Sequence, residues 1–212
     1  MMRHYFKFAF SSIVLLAFSV SHADTAVDFF RAVGLDDSRT VSRLLERGFD
    51  PNAIDENGQV GLFVALRVES PKVAGALLAS AQTRIDQANA NGETPLMIAA
   101  LRGSVEWVQR LVERGAAVNR EGWSPLHYAA SGPEPRVAAL LLERGAAVNA
   151  RSPNGSTPLM MAARYGASES VALLRARGAD LRLKNDQGLD AADFARAGGR
   201  DSLAIELERV AR

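Results

Sequence analysis

The chain has 212 residues, no cysteine, and a formal net charge of +1. That near-neutrality removes the electrostatic reason to expect nucleic acid or an anionic membrane as partner. Without cysteine there is no disulfide framework, no thiol nucleophile and no cysteine-based metal site.

The first predicted element is a leader. Arg3 and Lys7 give a positive start, Phe8 to Val20 is uncharged and mostly apolar, and Ser21-His22-Ala23 supplies small residues where a signal peptidase reads. This is the layout of a secretory signal peptide over 1–23, with cleavage expected between Ala23 and Asp24. The apolar run of 13 residues is short of the roughly 20 that a spanning helix needs. Cleavage would remove two bases and no acid, moving the charge to −1, and would leave Lys72 and Lys184 as the remaining lysines. The Arg- and Ala-rich composition points to a bacterial source, and absence of cysteine suits an oxidising compartment. Together they predict the periplasm.

From Asp24 onward the chain repeats. Gly58, Gly92, Gly122, Gly155 and Gly188 are spaced by 34, 30, 33 and 33 residues, and each opens a similar run: GQVGLFVA, GETPLMIA, GWSPLHYA, GSTPLMMA and GLDAADFA. Downstream of them, and in the opening segment, the pattern LLERG, LLASA, LVERG, LLERG or LLRARG recurs. In the unit from Asn91 to Asn119, Thr94 is placed to N-cap a first helix with Pro95 in its first turn. Gly103 ends that helix. Val105, Val108, Leu111 and Val112 give a second helix its apolar face, and Gly115 ends it.

The opening segment, 24–53, reads as an N-terminal cap with helices at about Thr25–Val33 and Val41–Arg47. The unit 54–87 is degenerate, with Val60-Gly61-Leu62 where Thr-Pro-Leu stands elsewhere. Units 88–119, 120–149 and 150–182 follow. In the second of these, Pro133 and Pro135 should shorten or reshape the join between helices. The last unit, 183–212, ends in a charged helix, Ser202–Arg212, whose Glu206, Glu208, Arg209 and Arg212 predict a wet outer face. Gly115 to Gly122 spans seven residues where the matching intervals span 10. One finger between units is therefore short, either as a tolerated loop deletion or as a notch that admits a partner.

This pattern resembles the ankyrin repeat family, with its period of about 33 residues and T-P-L-H-x-A signature. Thr-Pro-Leu is intact at 94–96 and 157–159 and becomes Ser124-Pro125-Leu126 between them, while His127 holds the fourth motif position that Met97 and Met160 take elsewhere. The resemblance implies an all-α solenoid of stacked helix-turn-helix units with short β-hairpin-like fingers, about five to six repeats. One helix pair cannot bury its apolar side alone, so stacking makes the core.

Chemistry finds few candidates. His127 would be the only histidine of the exported chain. A general base needs an oriented partner and a pocket, and the resemblance gives this position a structural role. Zinc needs three or four ligands, and no phosphate loop is present. Asp50, Asp55, Glu56 and Asp86, and later Asp180, Asp186, Asp190 and Asp193, match no calcium loop and read as solvated turn residues. Arg175, Arg177, Arg182 and Lys184 read as a solvated face. No cofactor or metal is expected.

Surface recognition remains. The resemblance implies a concave face of fingers and first helices that binds protein. The positions pointing there are Glu56, Gln59, Arg67, Glu93, Leu101, Arg102, Glu121, Trp123, Ser156, Arg164 and Tyr165. Trp, Tyr and Arg are enriched among interface hot spots. The expected function is a non-catalytic, monomeric, periplasmic module binding a protein partner. Alternatives are an accessory subunit that stabilises or delivers a periplasmic enzyme, and a small hydrolase using His127.

Overall fold

A computed structural model of the chain describes residues 25–211; the expected leader at 1–23 lies outside the described residues. Twelve helices occur among them, and the described backbone falls into two units, 25–83 and 84–211. None of the described helices is long and apolar enough to cross a membrane.

The first unit holds α1 (25–34), α2 (Ser38–Glu46), α3 (Gly61–Arg67) and α4 (Pro71–Ala79). Helix α2 starts three residues before the expected Val41, because the Asp37 side chain accepts from Thr40 N–H and caps the extra turn. Phe29, Val33, Val41, Leu62, Val73 and Leu77 form the core. The Phe29 ring packs against Phe30 and Phe49, with centroids 5.1 and 4.7 Å away. This packing explains the degenerate opening of α3. A Cβ at Gly61 would stand 2.7 Å from the Phe29 ring, so the proline used by other units has no room. Helix α3 also lacks a side-chain N-cap, since Val60 offers no acceptor.

The second unit holds four helix pairs: α5 (Pro95–Leu101) with α6 (Val105–Glu113), α7 (Pro125–Ser131) with α8 (Pro135–Glu143), α9 (Pro158–Tyr165) with α10 (Ser168–Ala176), and α11 (Ala191–Ala197) with α12 (Asp201–Ala211). The first helices, α5, α7, α9 and α11, stack side by side. Buried alanines permit it: Ala99, Ala100, Ala129, Ala130, Ala162, Ala163 and Ala195 are all within 1% of full burial. Leu96, Leu126 and Leu159 from first helices, with Leu111, Leu141 and Leu174 from second helices, repeat the core layer by layer. Each fully buried side chain stabilises by about 1.5–3 kcal/mol.

The first helices run parallel, and both ends show it. At the amino ends, His127 Nε2 donates to Ser156 O at 3.0 Å. At the carboxyl ends, a Cβ on Gly166 would fall 2.0 Å from Ala130 O, so only glycine allows that approach. Arg200 closes the end of α9, donating to the carbonyls of Ala162, Ala163 and Gly166, where the helix dipole favours a cation.

Pro133 and Pro135 do not shorten the α7–α8 join, which spans 132–134, as long as the 102–104 join, but the join is reshaped as expected: Gly132 is extended at φ −80° and ψ 170°, where Arg102 is helical and Gly103 takes a φ of 73°. Pro135 sits in the first turn of α8, where its missing N–H costs nothing. Glu206 and Arg209 are exposed on α12 as expected. Glu206 also pairs with Arg175 of α10 at 2.5 Å, and the half-buried Glu208 with Arg196 of α11. Ile205 and Val210 are exposed on the same helix.

Candidate functional site

Each first helix of the second unit begins with the same device. An N-cap residue turns its own amide toward the side chain three positions on, and the identity of that side chain varies. Thr94 N–H meets Met97 Sδ at 3.4 Å, Thr157 N–H meets Met160 Sδ at 3.3 Å, and Asp190 N–H donates to Asp193 Oδ2 at 3.0 Å. In α7 the acceptor is His127 Nδ1, 3.1 Å from Ser124 N. The Ser124 hydroxyl also lies 2.8 Å from Nδ1. A ring that accepts at Nδ1 carries its proton on Nε2, which donates to Ser156 O. Both nitrogens are thus occupied and the side chain is fully buried. Burial pushes the His127 pKa down, partly offset by the carbonyls of Ser156 and Ala150. The ring is a structural tie between two repeats.

Fingers carry a second ladder. Asn119 Oδ1 accepts from Ala147 N–H and its Nδ2 donates to Gly145 O, both at 2.8 Å; Asn149 repeats this with Asp180 and Gly178. Asp86 holds Ala117 N–H in the same way. Finger tips close through a backbone bond four residues long: Asp55 to Gln59, Asn89 to Glu93, Ser152 to Ser156 and Asn185 to Leu189. Among the described residues, the short finger at 119–123 lacks that bond. The deletion took the tip and spared the Asn119 bridge, and Gly122 packs toward Pro153 of the next finger.

Just after the short finger, the first helices open into an apolar groove of about 270 Å³. Trp123 stands at its amino end, edge-on to His127 with centroids 5.3 Å apart. Leu101 of α5, His127, Tyr128 and Ser131 of α7, and Met161 and Tyr165 of α9 complete the walls. Tyr165 is 57% exposed and Leu101 36%. The Tyr128 hydroxyl donates to Glu93 Oε1 at 3.0 Å, and Asn89 Nδ2 donates to Glu93 Oε2 at 2.8 Å. Burial, then the adjacent Glu93 charge, push the Tyr128 pKa up, so the phenol stays protonated. Arg164 lies over the Tyr165 ring, 5.0 Å from its centroid.

Of the residues singled out by sequence, Leu101, Trp123 and Tyr165 line the groove. Glu93 and Arg164 join it through Tyr128 and Tyr165, and Arg102 and Glu121 are exposed beside Leu101 and Trp123. Glu56, Gln59 and Arg67 belong to the first unit, Glu56 exposed and the other two half-buried. Ser156 is buried, its carbonyl already engaged by His127. Tyr128 and Met161 were missed. Both follow the Pro-Leu-x opening by one residue, the slot Ile98 fills in α5, so the signal lay in comparing that slot across repeats.

No group of three His, Asp or Glu capable of holding a metal occurs among the described residues. Asp55 and Asn185 spend their side chains on backbone amides of the turns, and Asp190 on those at the start of α11. Arg175 and Arg177 pair with Glu206 and Glu143, and Arg182 reaches Ala211 O.

Comparison with known proteins follows the repeat. The family profile described as "Ankyrin repeats (3 copies)" matches residues 29–121, 62–152 and 116–185, well over half the chain. A putative palmitoyltransferase ZDHHC13 from Danio rerio is 31% identical over 156 residues, 73% of this chain and 20% of that protein. Ankyrin repeat and SAM domain-containing protein 6 from Rattus norvegicus is 36% identical over 144 residues, 68% of this chain and 13% of the relative. The chain thus spans a fifth or less of these relatives. Among solved structures, a chain of the Bd0816 predatory endopeptidase from Bdellovibrio bacteriovorus in complex with immunity protein Bd3460 matches with a TM-score of 0.72 and 28% identity, covering 86% of this chain and 97% of that one.

Proposed function

The chain belongs to the ankyrin repeat family, a family of protein-interaction modules, and on that premise we propose that it is an exported, monomeric, non-catalytic module. It holds one protein partner against the first-helix face of its second unit. The observation that carries this reading is the groove itself: Trp123, Leu101 and Tyr165 leave apolar surface open to solvent around one concavity. Exposed aromatic residues around a concavity are where binding energy concentrates, and a rigid scaffold lowers the ordering cost of association. His127 supports a non-catalytic reading, because a base with both nitrogens engaged and no exposed surface meets no substrate. Export rests on Arg3, Lys7, the apolar run 8–20 and Ser21-His22-Ala23, with the periplasm of a bacterium as destination.

The test is capture from periplasmic extract by the tagged protein. Trp123→Ala with Tyr165→Ala should lower recovery of the bound partner at unchanged thermal stability; undiminished recovery would move the site off this groove. Fractionation of tagged cells tests export, and a full-length cytosolic product would refute it. A second reading makes the partner an enzyme that the module restrains or delivers. It is favoured by the match to a chain from an endopeptidase–immunity protein complex. An enzyme in the captured fraction, altered in activity or lifetime by the module, would distinguish it.

A further inference from the structure

The groove has charges at its two ends that the fold leaves unspent. Glu121 is exposed, two residues before Trp123, and pairs with no cation among the described residues; Arg164 is exposed beside Tyr165 and rests on that ring with no acid partner. Glu93, by contrast, is already held by Tyr128 and Asn89. Because α7 and α9 run parallel, Glu121 lies at the amino end of the groove and Arg164 at the carboxyl end. Helix α7, which spans the distance, has seven residues, about 10 Å at 1.5 Å per residue. Between the charges lies a nearly wholly apolar floor of Leu101, Tyr128 and Met161.

Resting on the binding reading above, we infer that the groove seats an extended partner segment with a large apolar side chain between a basic residue, met by Glu121, and an acidic residue, met by Arg164. An extended chain advances about 3.3 Å per residue and turns alternate side chains to one face. A base, an apolar residue and an acid at alternate positions therefore present all three groups together over about 13 Å. That length matches the helix, and the long side chains of the base and the acid reach beyond it toward Glu121 and Arg164. The apolar side chain supplies most of the energy by leaving water. The rim charges add little affinity and choose which segment fits.

The test uses short blocked peptides and the two tryptophan indole N–H resonances of the full chain. Trp107 lies on α6 under Arg110, with the guanidinium 4.1 Å from its ring centroid, and is not a wall of the groove, so it serves as the internal control. A peptide carrying arginine-serine-leucine-serine-glutamate, at millimolar concentration, should shift the Trp123 indole and leave Trp107 in place. Replacing the leucine by serine should weaken binding at least about ten-fold. Replacing the glutamate by arginine should weaken it about three-fold, and Arg164→Glu in the protein should reverse that last preference. Equal shifts from the peptide without leucine, no shift of Trp123, or an unreversed preference in Arg164→Glu would each overturn the inference. So would a Trp123 shift that grows with protein concentration alone, which would give the groove to a second copy of the chain. If the peptides fail while Trp123→Ala with Tyr165→Ala still abolishes partner capture, the binding reading stands and the charged-segment chemistry falls.

Discussion

Helices α3 and α5 hold the same place in successive repeats and begin in opposite ways. Helix α5 starts with Thr94 capping and Pro95 in the first turn. Helix α3 starts with Val60, which caps nothing, and Gly61, which is there because the Phe29 ring fills the space a Cβ needs. The joins that follow differ in the same sense. Gly103 takes a positive φ of 73° after α5, and Glu69 takes 60° at the matching point after α3. Within the second unit every left-handed position among the described residues is a glycine, whereas Asp36 and Glu69 take that conformation in the first. Within the first, the bulk of the capping aromatics decides, and local preference yields.

The comparison can be broken hardest at a glycine whose neighbour is backbone. Gly166→Ala sets a Cβ 2.0 Å from Ala130 O, and two stacked helices must part. We expect a loss of about 3 kcal/mol or more, read as a lower midpoint in chemical denaturation. Gly61→Ala meets a ring instead. Alanine favours helix by about 1 kcal/mol over glycine, yet this variant should lose about 1–3 kcal/mol. Combined with Phe29→Leu, the penalty should shrink, and a double-mutant cycle that is merely additive would refute the contact.

The His127 tie gives the next effect. His127→Ala leaves Ser124 N–H without its acceptor and takes one of two donors from Ser156 O, which keeps Ser152 N–H, and should cost about 2–4 kcal/mol. His127→Met, which keeps an acceptor of the kind used in α5 and α9, should cost about 1 kcal/mol. The two also separate by pH. The folded state holds His127 below its ordinary value of 6.5, so the unfolded chain binds the proton first. Stability is complete above pH 6.5, falls as pH drops through that value, and levels off below the depressed folded pKa. His127→Met should flatten this decline relative to the parent. The smallest effect sharpens the comparison: Glu69→Gly relieves a left-handed residue and should gain about 1 kcal/mol, seen as slower amide exchange in α3 and α4.

Much of the fold was legible in the sequence. Thr94, Pro95, Gly103 and Gly115 mark the bounds that α5 and α6 take, because caps and left-handed glycines act on their own stretch of backbone. Buried alanine pairs and the leucine layers followed from the same register. The site was legible only in part. Trp123, Tyr165 and Leu101 stood out by residue type and position. Tyr128 and Met161 did not, since each looks like an ordinary helix residue until α7 and α9 lie side by side.

By itself, the sequence determined the period, the helix starts and stops, and which positions face the next repeat. These depend on φ, capping and helical spacing, all of which act within a few residues. Only the tertiary structure decided how the pieces meet. Phe29 displaced the proline at 61, Arg200 closed α9 from the next repeat, Tyr128 took hold of Glu93, and Glu121 and Arg164 were left unpaired at opposite ends of one groove. Most of these contacts join residues about one repeat apart in the chain, and there the distance between side chains is set by how closely neighbouring helices pack.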